Sequence, residues 1–288
     1  MDVLISGLVI GSIYALVALG FTFTWMSTLT LNFGQGSLLM LGALIGLTMQ
    51  QTWGLPLYAT VPLTMLVVAL ISVAIYWGAI APFNKGQDAI NWVLATVAID
   101  IALRAAAQMI WGKSVMRATP FFGDDLVEFW EFVLETQQVT ILAGLVLIVA
   151  LLTGFVRGSL WGKALTAVAQ NRVAAALSGV SPAMIASIGF GLSGALAALA
   201  GLLIAPVVFA SANMGAPLLV KAFTVSVLAG LSSLWGAVAA GLVFGVAEAM
   251  VARYIGSSYR EIFGLLLLVA VLAFRPTGLF GLRQIVKV

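Results

Sequence analysis

The chain has 288 residues, of which 62% are hydrophobic and 8% are charged, with a formal net charge of +3 and a mean hydropathy of +1.16. A soluble domain carries about 25% charged residues, so this chain lacks the charges for a polar surface and its apolar excess must face lipid. It contains no cysteine, no histidine and no basic stripe, which excludes thiol chemistry, Cys/His zinc sites, histidine general bases and nucleic-acid binding.

Apolar segments recur along the whole chain and predict an all-α, polytopic transmembrane helix bundle of about eight or nine spans, in a single domain, 1–288. They cover about 3–26, 37–49, 57–80, 89–111, 139–155, 185–208, 218–231, 234–251 and 262–274. The second is too short to cross a ~30 Å hydrocarbon core unless its flanks contribute. Close helix packing is indicated by G-x-x-x-G spacings at Gly7/Gly11, Gly42/Gly46 and Gly241/Gly245.

A polar stretch, Asn32-Phe33-Gly34-Gln35-Gly36, lies just before the short second segment. Its amide side chains can hydrogen-bond a solute, and its glycines permit unusual backbone angles. If the second segment begins as a half-helix inside the bundle, its free N–H groups would attract a carboxylate near mid-membrane. The alternative is an ordinary turn between two helices.

Three charges lie within apolar segments, at Asp100, Arg104 and Glu248. Asp100 and Arg104 are four residues apart on one helix face, a spacing that favours an internal pair. Glu248 has no obvious local partner. Intramembrane charges are costly and often functional, so a proton relay is the alternative to a structural pair.

The longest polar loop, at about 113–138, is acidic. Its acids alternate with aromatic residues, which is typical of an amphipathic interfacial helix or a lid. The acids are Asp124, Asp125, Glu128, Glu131 and Glu135, and the aromatics are Phe121, Phe122, Phe129, Trp130 and Phe132.

A second polar stretch, at about 157–182, is alanine-rich and predicts a helix that Gly179 and Pro182 end. Such a helix provides either a docking site for a soluble partner or an amphipathic linker on the membrane surface. The stretch begins with glycines and a lysine but lacks the spacing and the Ser or Thr of a P-loop. ATP would therefore have to be bound by another subunit.

Basic residues in short loops indicate the orientation of the chain. A cytoplasmic C-terminus places the acidic loop in the periplasm and the alanine-rich stretch in the cytoplasm. The basic residues assigned to the cytoplasmic side are Lys85, Arg157, Lys163, Arg172, Arg275, Arg283 and Lys287. Those assigned to loops on the outside are Lys113, Arg117, Lys221, Arg253 and Arg260, so the cytoplasmic excess is modest.

Five motifs occur in an order that resembles the permease subunits of branched-chain amino-acid ABC importers. They are the opening 7–16, the Asn-Phe-Gly-Gln-Gly stretch at 32–36, the Ala-Gln-Asn-Arg stretch at 169–172 with Ala174, Ala175 and Gly179, the glycine-rich hairpin at 228–238, and Arg-Pro-Thr-Gly-Leu-Phe-Gly at 275–281. The resemblance covers nearly the whole chain.

The resemblance implies a subunit with no catalysis of its own and no cofactor, in a bacterial inner membrane. ATP and Mg would be bound by two cytoplasmic ATPase subunits, and the other partners would be a second homologous permease, a periplasmic solute-binding protein and membrane lipid. Residues 163–180 would seat in an ATPase, although Val173 replaces the acid usual in that motif. The implied coupling residues are Gln170, Arg172, Ala174, Ala175 and Gly179. Residues 32–36 would line the path of branched-chain amino acids, or of urea or short amides.

Two further expectations concern an alternative mechanism and an internal repeat. An ion-coupled secondary transporter would use Asp100 or Glu248 as its ion site. An intramembrane enzyme is not favoured, because the chain lacks the histidine, cysteine or paired carboxylates that such an enzyme would use for catalysis. The first two apolar segments faintly resemble the sixth and seventh, which are joined by residues 211–215. Inverted repeats of this kind are common in transporters.

Overall fold

The computed structural model describes residues 2–83, 91–123, 126–129, 132–275 and 278–280. These residues form eleven helices and one two-stranded sheet. The helices are α1 (Asp2–Thr28), α2 (Gln35–Leu47), α3 (Leu57–Ile75), α4 (Asn91–Trp111), α5 (Thr136–Gly158), α6 (Leu160–Gln170), α7 (Arg172–Leu177), α8 (Pro182–Val208), α9 (Gly215–Ala229), α10 (Leu234–Tyr254) and α11 (Tyr259–Phe274). Short π-helical turns, Thr48–Thr52 and Tyr76–Ile80, extend α2 and α3.

The predicted all-α, polytopic architecture is confirmed, because each of the nine apolar segments contains one helix. Within the described ranges, α1, α3, α4, α5, α8 and α10 are long and apolar enough to cross a membrane. The helices α2, α9 and α11 are shorter, with 13, 15 and 16 residues. By length and composition, six helices rather than eight or nine therefore meet the requirement for a full span.

The centre of the bundle is built from α1 and α8. In the most apolar stretch of α8, 78% of the residues are buried, against 17% in α4 and in α5. Leu94, Ile101 and Met109 of α4 and Val146 and Leu151 of α5 are exposed. An apolar outer face of this kind is stable against lipid or another membrane subunit, so α4 and α5 form the periphery of the chain.

Glycines on α1 and α10 bring these two helices into backbone contact. A side chain at Gly241 would overlap Ala15, and a side chain at Gly245 would overlap Gly7 and Gly11. The G-x-x-x-G spacings at 7/11 and 241/245 therefore face each other. Small residues favour such contacts because van der Waals packing, rather than the hydrophobic effect, holds helices together in lipid.

A helix–linker–helix unit occurs twice and supports the predicted internal repeat. The helices α1 and α8 both have 27 residues. Each is followed by a bulky residue with positive φ, Leu29 (56°) or Phe209 (61°), a conformation that disfavours residues with a side chain. After the same number of linker residues, Gln35 begins α2 and Gly215 begins α9.

The first turns of α2 and α9 touch each other inside the bundle. A Cβ atom on Gly36 would overlap the carbonyl group of Gly215, and one on Gly215 would overlap Gly36. Gln35 lies beside Gly20, well before the end of α1. The linker 29–34 therefore folds back along α1, and α2 begins within the bundle rather than at its edge.

The acidic loop contains a β-hairpin, so the predicted amphipathic helix is wrong. Strands β1 (Leu126–Phe129) and β2 (Phe132–Glu135) pair in antiparallel register, with Leu126 opposite Glu135. Valine and phenylalanine, which are frequent in this segment, favour strands over helices. Met116 and Ala210 exchange two backbone hydrogen bonds of 2.8 and 2.9 Å, which join the start of the loop to the end of α8.

Some predicted residues lie outside the described ranges. They are Asp124, Asp125, Trp130 and Glu131 of the acidic loop, Lys85, and Pro276, Thr277, Gly281, Arg283 and Lys287 of the tail. In the described part of the tail, the Leu279 N–H donates to the Leu228 carbonyl oxygen at 2.8 Å. The tail and the hairpin at 228–238, two of the five motifs, are therefore in contact.

Candidate functional site

The stretch 32–36 forms the linker between α1 and α2 and the first turn of α2. The Asn32 side-chain oxygen accepts a 3.0 Å hydrogen bond from the Gly34 N–H, and the Asn32 carbonyl oxygen accepts one from the Gln35 N–H at 3.0 Å. The Asn32 side-chain nitrogen is buried without a hydrogen-bond partner. A buried donor left unpaired costs about 1–3 kcal/mol, so this nitrogen is a candidate to bind a ligand or water.

Gln35 joins three helices at this point. Its side-chain nitrogen donates to the Ser193 carbonyl oxygen of α8 at 3.0 Å, and its side-chain oxygen accepts from the Ser193 hydroxyl at 2.8 Å. A Cβ atom on Gly20 of α1 would overlap the Gln35 amide. Gln35 is fully buried and uses its amide within the chain, so in this structure it holds the junction together.

Phe33 is the half-exposed member of the stretch. Its ring stacks on Trp92 of α4, with centroids 6.4 Å apart and planes at 13°, and lies 5.6 Å from Phe223 of α9. The outer side of the junction is therefore aromatic, whereas Asn32, Gly34, Gln35 and Gly36 lie behind it, buried.

Asp100 and Arg104 are paired on α4 beside the same junction. The Arg104 guanidinium contacts one oxygen of the Asp100 carboxylate, and the Ser37 hydroxyl of α2 donates to the other at 2.5 Å. The Asp100 side chain is 8% exposed and the Arg104 side chain is 31% exposed. The Asp100 carboxylate is thus fixed by Ser37 and by Arg104, while part of the Arg104 side chain reaches the surface of the chain.

Glu248 belongs to a second charge cluster, formed by α9, α10 and α11. Its carboxylate lies 2.6 Å from the Lys221 ammonium and 2.9 Å from the Arg260 guanidinium, and it is fully buried. The Lys221 nitrogen also lies 3.6 Å from Glu261 and 6.0 Å from the centre of the Tyr14 ring. Glu248 is therefore neutralised by cations from neighbouring helices.

The cluster corrects the assignment of basic residues to outside loops. Lys221 lies within α9, Arg253 in the last turn of α10 and Arg260 in the first turn of α11. Lys221 is buried because it pairs with Glu248, so it carries no information about orientation. Removing it from the group predicted to lie outside leaves four basic residues there, so the excess on the side predicted to be cytoplasmic becomes larger.

The alanine-rich stretch forms two helices, not the single helix that was predicted. Asn171 has extended backbone angles (φ −156°, ψ 101°), and its side chain accepts a 2.9 Å hydrogen bond from the Ala174 N–H. It therefore ends α6 and caps α7, as asparagine does when it competes with helix hydrogen bonds. Gly179 (φ +88°) ends α7, and Pro182 opens α8.

The predicted coupling residues surround α7. Gln170, Arg172, Ala174 and Gly179 are exposed, whereas Ala175 is buried. Two apolar side chains of α7 also point outwards, with Val173 70% and Leu177 86% exposed. A short capped helix with exposed apolar side chains is a surface on which a partner can dock.

The described residues hold no group of three or more Asp, Glu, His or Cys that could bind a metal ion. No sequence pattern indicated a role for Ser193, and Lys221 and Arg260 were predicted to lie in outside loops rather than in an ion pair. Lys221 could have been recognised as a charge inside the seventh apolar segment. Ser193 gives no such signal, because its partner Gln35 is 158 positions away.

Residues 3–272 match a protein family described as "branched-chain amino acid transport system / permease component". The chain belongs to this family. The resemblance drawn from the five motifs is thereby confirmed, and the bundle described above is the permease fold of an ABC transporter.

Similar proteins align over almost the full length of this permease. It is 33% identical to the high-affinity branched-chain amino acid transport system permease protein BraD of Pseudomonas aeruginosa, over 99% of this chain and 97% of the relative. It is 29% identical to LivH of Salmonella typhimurium and 27% identical to LivH of Escherichia coli, in both cases over 98% of this chain and 96% of the relative.

A solved structure has the same overall fold. PsaBC from Streptococcus pneumoniae in complex with Fab superposes with a TM-score of 0.51 and 13% identity, over 96% of this chain and 93% of the other. At this identity the likeness concerns the helix arrangement alone.

Proposed function

We propose that this permease is a membrane subunit of an ATP-driven importer of branched-chain amino acids. It would assemble with a second homologous permease, two cytoplasmic ATPase subunits that bind ATP and Mg, and a periplasmic solute-binding protein. The proposal is supported by family membership over residues 3–272 and by the names of the relatives, which favour branched-chain amino acids over urea or short amides.

The exposed α7 is the observation that carries the ATPase part of the proposal. Both of its ends are capped, by the Asn171 side chain and by Gly179. These caps stabilise a helix of six residues, which would be too short to be stable alone. Ala175 anchors it to the bundle, while Val173 and Leu177 project outwards. A short, capped helix with exposed apolar side chains could bind in a groove of an ATPase subunit. A conformational change of the ATPase would then be transmitted through α7 to α6 and α8.

A cytoplasmic C-terminus agrees with this assignment. The helices α9 and α11 are shorter than a full span, but together with their linkers they would complete four crossings from α8 to α11. An even number of crossings would return the tail to the side of α7. The tail also packs on the α9–α10 turn, where Gly278 lies against Gly230. In this orientation α7 and the tail lie in the cytoplasm of a bacterium, with the subunit in the inner membrane.

The junction of α2, α4 and α9 is the proposed solute path. It brings together the predicted stretch 32–36, the aromatic pair Phe33 and Trp92, and the half-exposed Arg104. The ion-coupled alternative finds less support, because Asp100 and Glu248 each form ion pairs with cations of this chain.

Purification of the tagged chain from mild detergent tests the proposal. We expect two ATPase subunits and a second permease to co-purify, and the reconstituted complex to take up radiolabelled leucine only with ATP and the solute-binding protein. A solitary chain that transports under an ion gradient without ATP would contradict the importer and make Asp100 and Glu248 the residues to test.

Replacing Gly179 by valine should abolish coupling while leaving the bundle folded. A Cβ atom there meets no other atom within 4 Å, but φ is +88°, and a β-branched residue in this region costs about 1–2 kcal/mol or more. The end of α7 would therefore shift. We expect ATP hydrolysis without leucine uptake in Gly179→Val, measured in proteoliposomes. Gly179→Asn is the matched control, since asparagine tolerates positive φ; equal uptake by the two variants would refute the coupling assignment.

A further inference from the structure

Arg104 is a half-exposed cation close to the middle of a membrane helix. The helix α4 has 21 residues with Ile101 at its centre, so Arg104 lies about 4.5 Å beyond the midpoint along the axis. The exposed apolar residues Leu94, Ile101 and Met109 mark the outer side of the same helix. A guanidinium at this depth is strongly disfavoured next to lipid. The exposed part of Arg104 must therefore face water, a solute or a protein.

The neighbours of Arg104 point towards the proposed solute path. Thr96, Asp100, Arg104 and Gln108 follow one another at four-residue intervals and form a polar stripe on α4. One turn before Arg104, Asp100 contacts Ser37 of α2; one turn after it, Gln108 donates to the Asn213 side chain of the α8–α9 linker at 3.3 Å. Arg104 thus lies between the two places where the short helices α2 and α9 begin. Interrupted helices at membrane depth are tolerated where they line a cavity or are buried in protein.

Most hydrogen-bond donors of Arg104 are free for another partner. A guanidinium has five N–H donors in a planar fork that fits a carboxylate with two bonds. In the described structure, Asp100 accepts a hydrogen bond from one terminal nitrogen of the guanidinium, and the Arg104 Nε is buried without a hydrogen-bond partner. Asp100 uses its two oxygens for Ser37 and Arg104, so it orients the guanidinium without occupying the whole fork.

We propose that Arg104 binds the carboxylate of the transported solute, and that Asp100 and Ser37 are positioning residues for it. This inference rests on the proposed import of amino acids. A paired, net-neutral site suits a zwitterion, because a solute with no net charge enters without leaving an unbalanced charge in the membrane. The ammonium group of the solute would be attracted to Asp100 while the carboxylate lies on Arg104. A solute without a carboxylate, such as urea, would lose this interaction.

A neutral double variant separates solute binding from a structural ion pair. Asp100→Asn combined with Arg104→Gln removes both charges and leaves no unpaired ion in the bundle. We expect the complex to assemble and leucine uptake at low concentration to fall about 10- to 100-fold, the loss expected for a charged hydrogen bond. Arg104→Lys keeps the charge but loses the fork, so intermediate uptake is expected. Normal uptake by the double variant would overturn the inference.

The positioning role of Asp100 has a separate readout. Asp100→Asn alone keeps the Arg104 guanidinium but removes the carboxylate that orients it. Binding of leucine should weaken, so the KM for leucine should rise while the maximal rate of uptake is retained. A lower maximal rate with an unchanged KM would indicate that Asp100 supports only the bundle, which would contradict its positioning role.

Thiol labelling of the assembled complex tests the inference by a second route. The chain has no cysteine, so Gln108→Cys and Met109→Cys each create a single thiol at nearly the same depth. The first lies on the polar stripe, and the second lies about 100° around the helix on the exposed apolar side. A membrane-impermeant thiol reagent should modify Gln108→Cys, and leucine, but not leucinamide, should slow the reaction. Met109→Cys should resist the reagent. Labelling of Gln108→Cys that leucine does not slow would overturn the inference. Leucine protection in a complex that shows no ATP-driven uptake would refute the proposed importer alone.

Discussion

Replacing Glu248 by glutamine is expected to lower the free energy of unfolding by about 3–5 kcal/mol, the cost of breaking a buried ion pair by removing one partner. The Glu248 carboxylate is fully buried between Lys221 and Arg260, and the Lys221 side chain is only 11% exposed. Without Glu248, the Lys221 ammonium would remain inside the bundle with Glu261, 3.6 Å away and mostly exposed, as its nearest anion. The measurement is the midpoint temperature for unfolding of the purified chain in detergent.

Two further variants show whether the charge balance is responsible. Glu261→Gln removes the other carboxylate near Lys221, but that side chain is 68% exposed, so a loss of about 0–1 kcal/mol is expected. Lys221→Met combined with Glu248→Gln removes the buried cation together with its partner and should restore most of the stability. If Glu248→Gln and Glu261→Gln lower the midpoint equally, the buried pair contributes no more than a surface pair.

The sequence predicted those parts of the fold that depend on interactions between residues close together in the sequence. Nine apolar segments gave nine helices, because a backbone in lipid must satisfy its hydrogen bonds within the helix. The Asp100–Arg104 contact follows from a four-residue spacing on one helix. The end of α7 at Gly179 follows from the preference of glycine for positive φ.

Other features depend on residues that are distant in the sequence or on a balance between two local preferences. Gln35 and Ser193 meet because α2 folds back into the bundle, which no local pattern indicates. Glu248 finds its cations on α9 and α11, so its partners become visible only when these helices are packed. The hairpin of β1 and β2 was mistaken for a helix because alternating aromatic and acidic residues suit both structures.

The contact between α2 and α9 leaves no room for a side chain at Gly215. Replacing this residue by valine is therefore expected to prevent normal folding. The first turn of α9 touches the first turn of α2 through Gly215 and Gly36, and a Cβ atom on Gly215 would overlap the Gly36 backbone. Backbone atoms cannot move aside as a flexible side chain can, so we expect a loss of about 3 kcal/mol or more.

Gly154→Val is the matched control for Gly215→Val. Gly154 lies in α5, and a Cβ atom there would meet no other atom within 4 Å. The yield of monodisperse protein and the midpoint temperature for unfolding should therefore fall for Gly215→Val and stay near the wild-type values for Gly154→Val. Equal behaviour of the two variants would show that α2 and α9 do not depend on backbone contact. A drop confined to Gly215→Val would establish that the two halves of the chain join at the first turns of their short helices, the same place where Phe33 and Arg104 reach the surface.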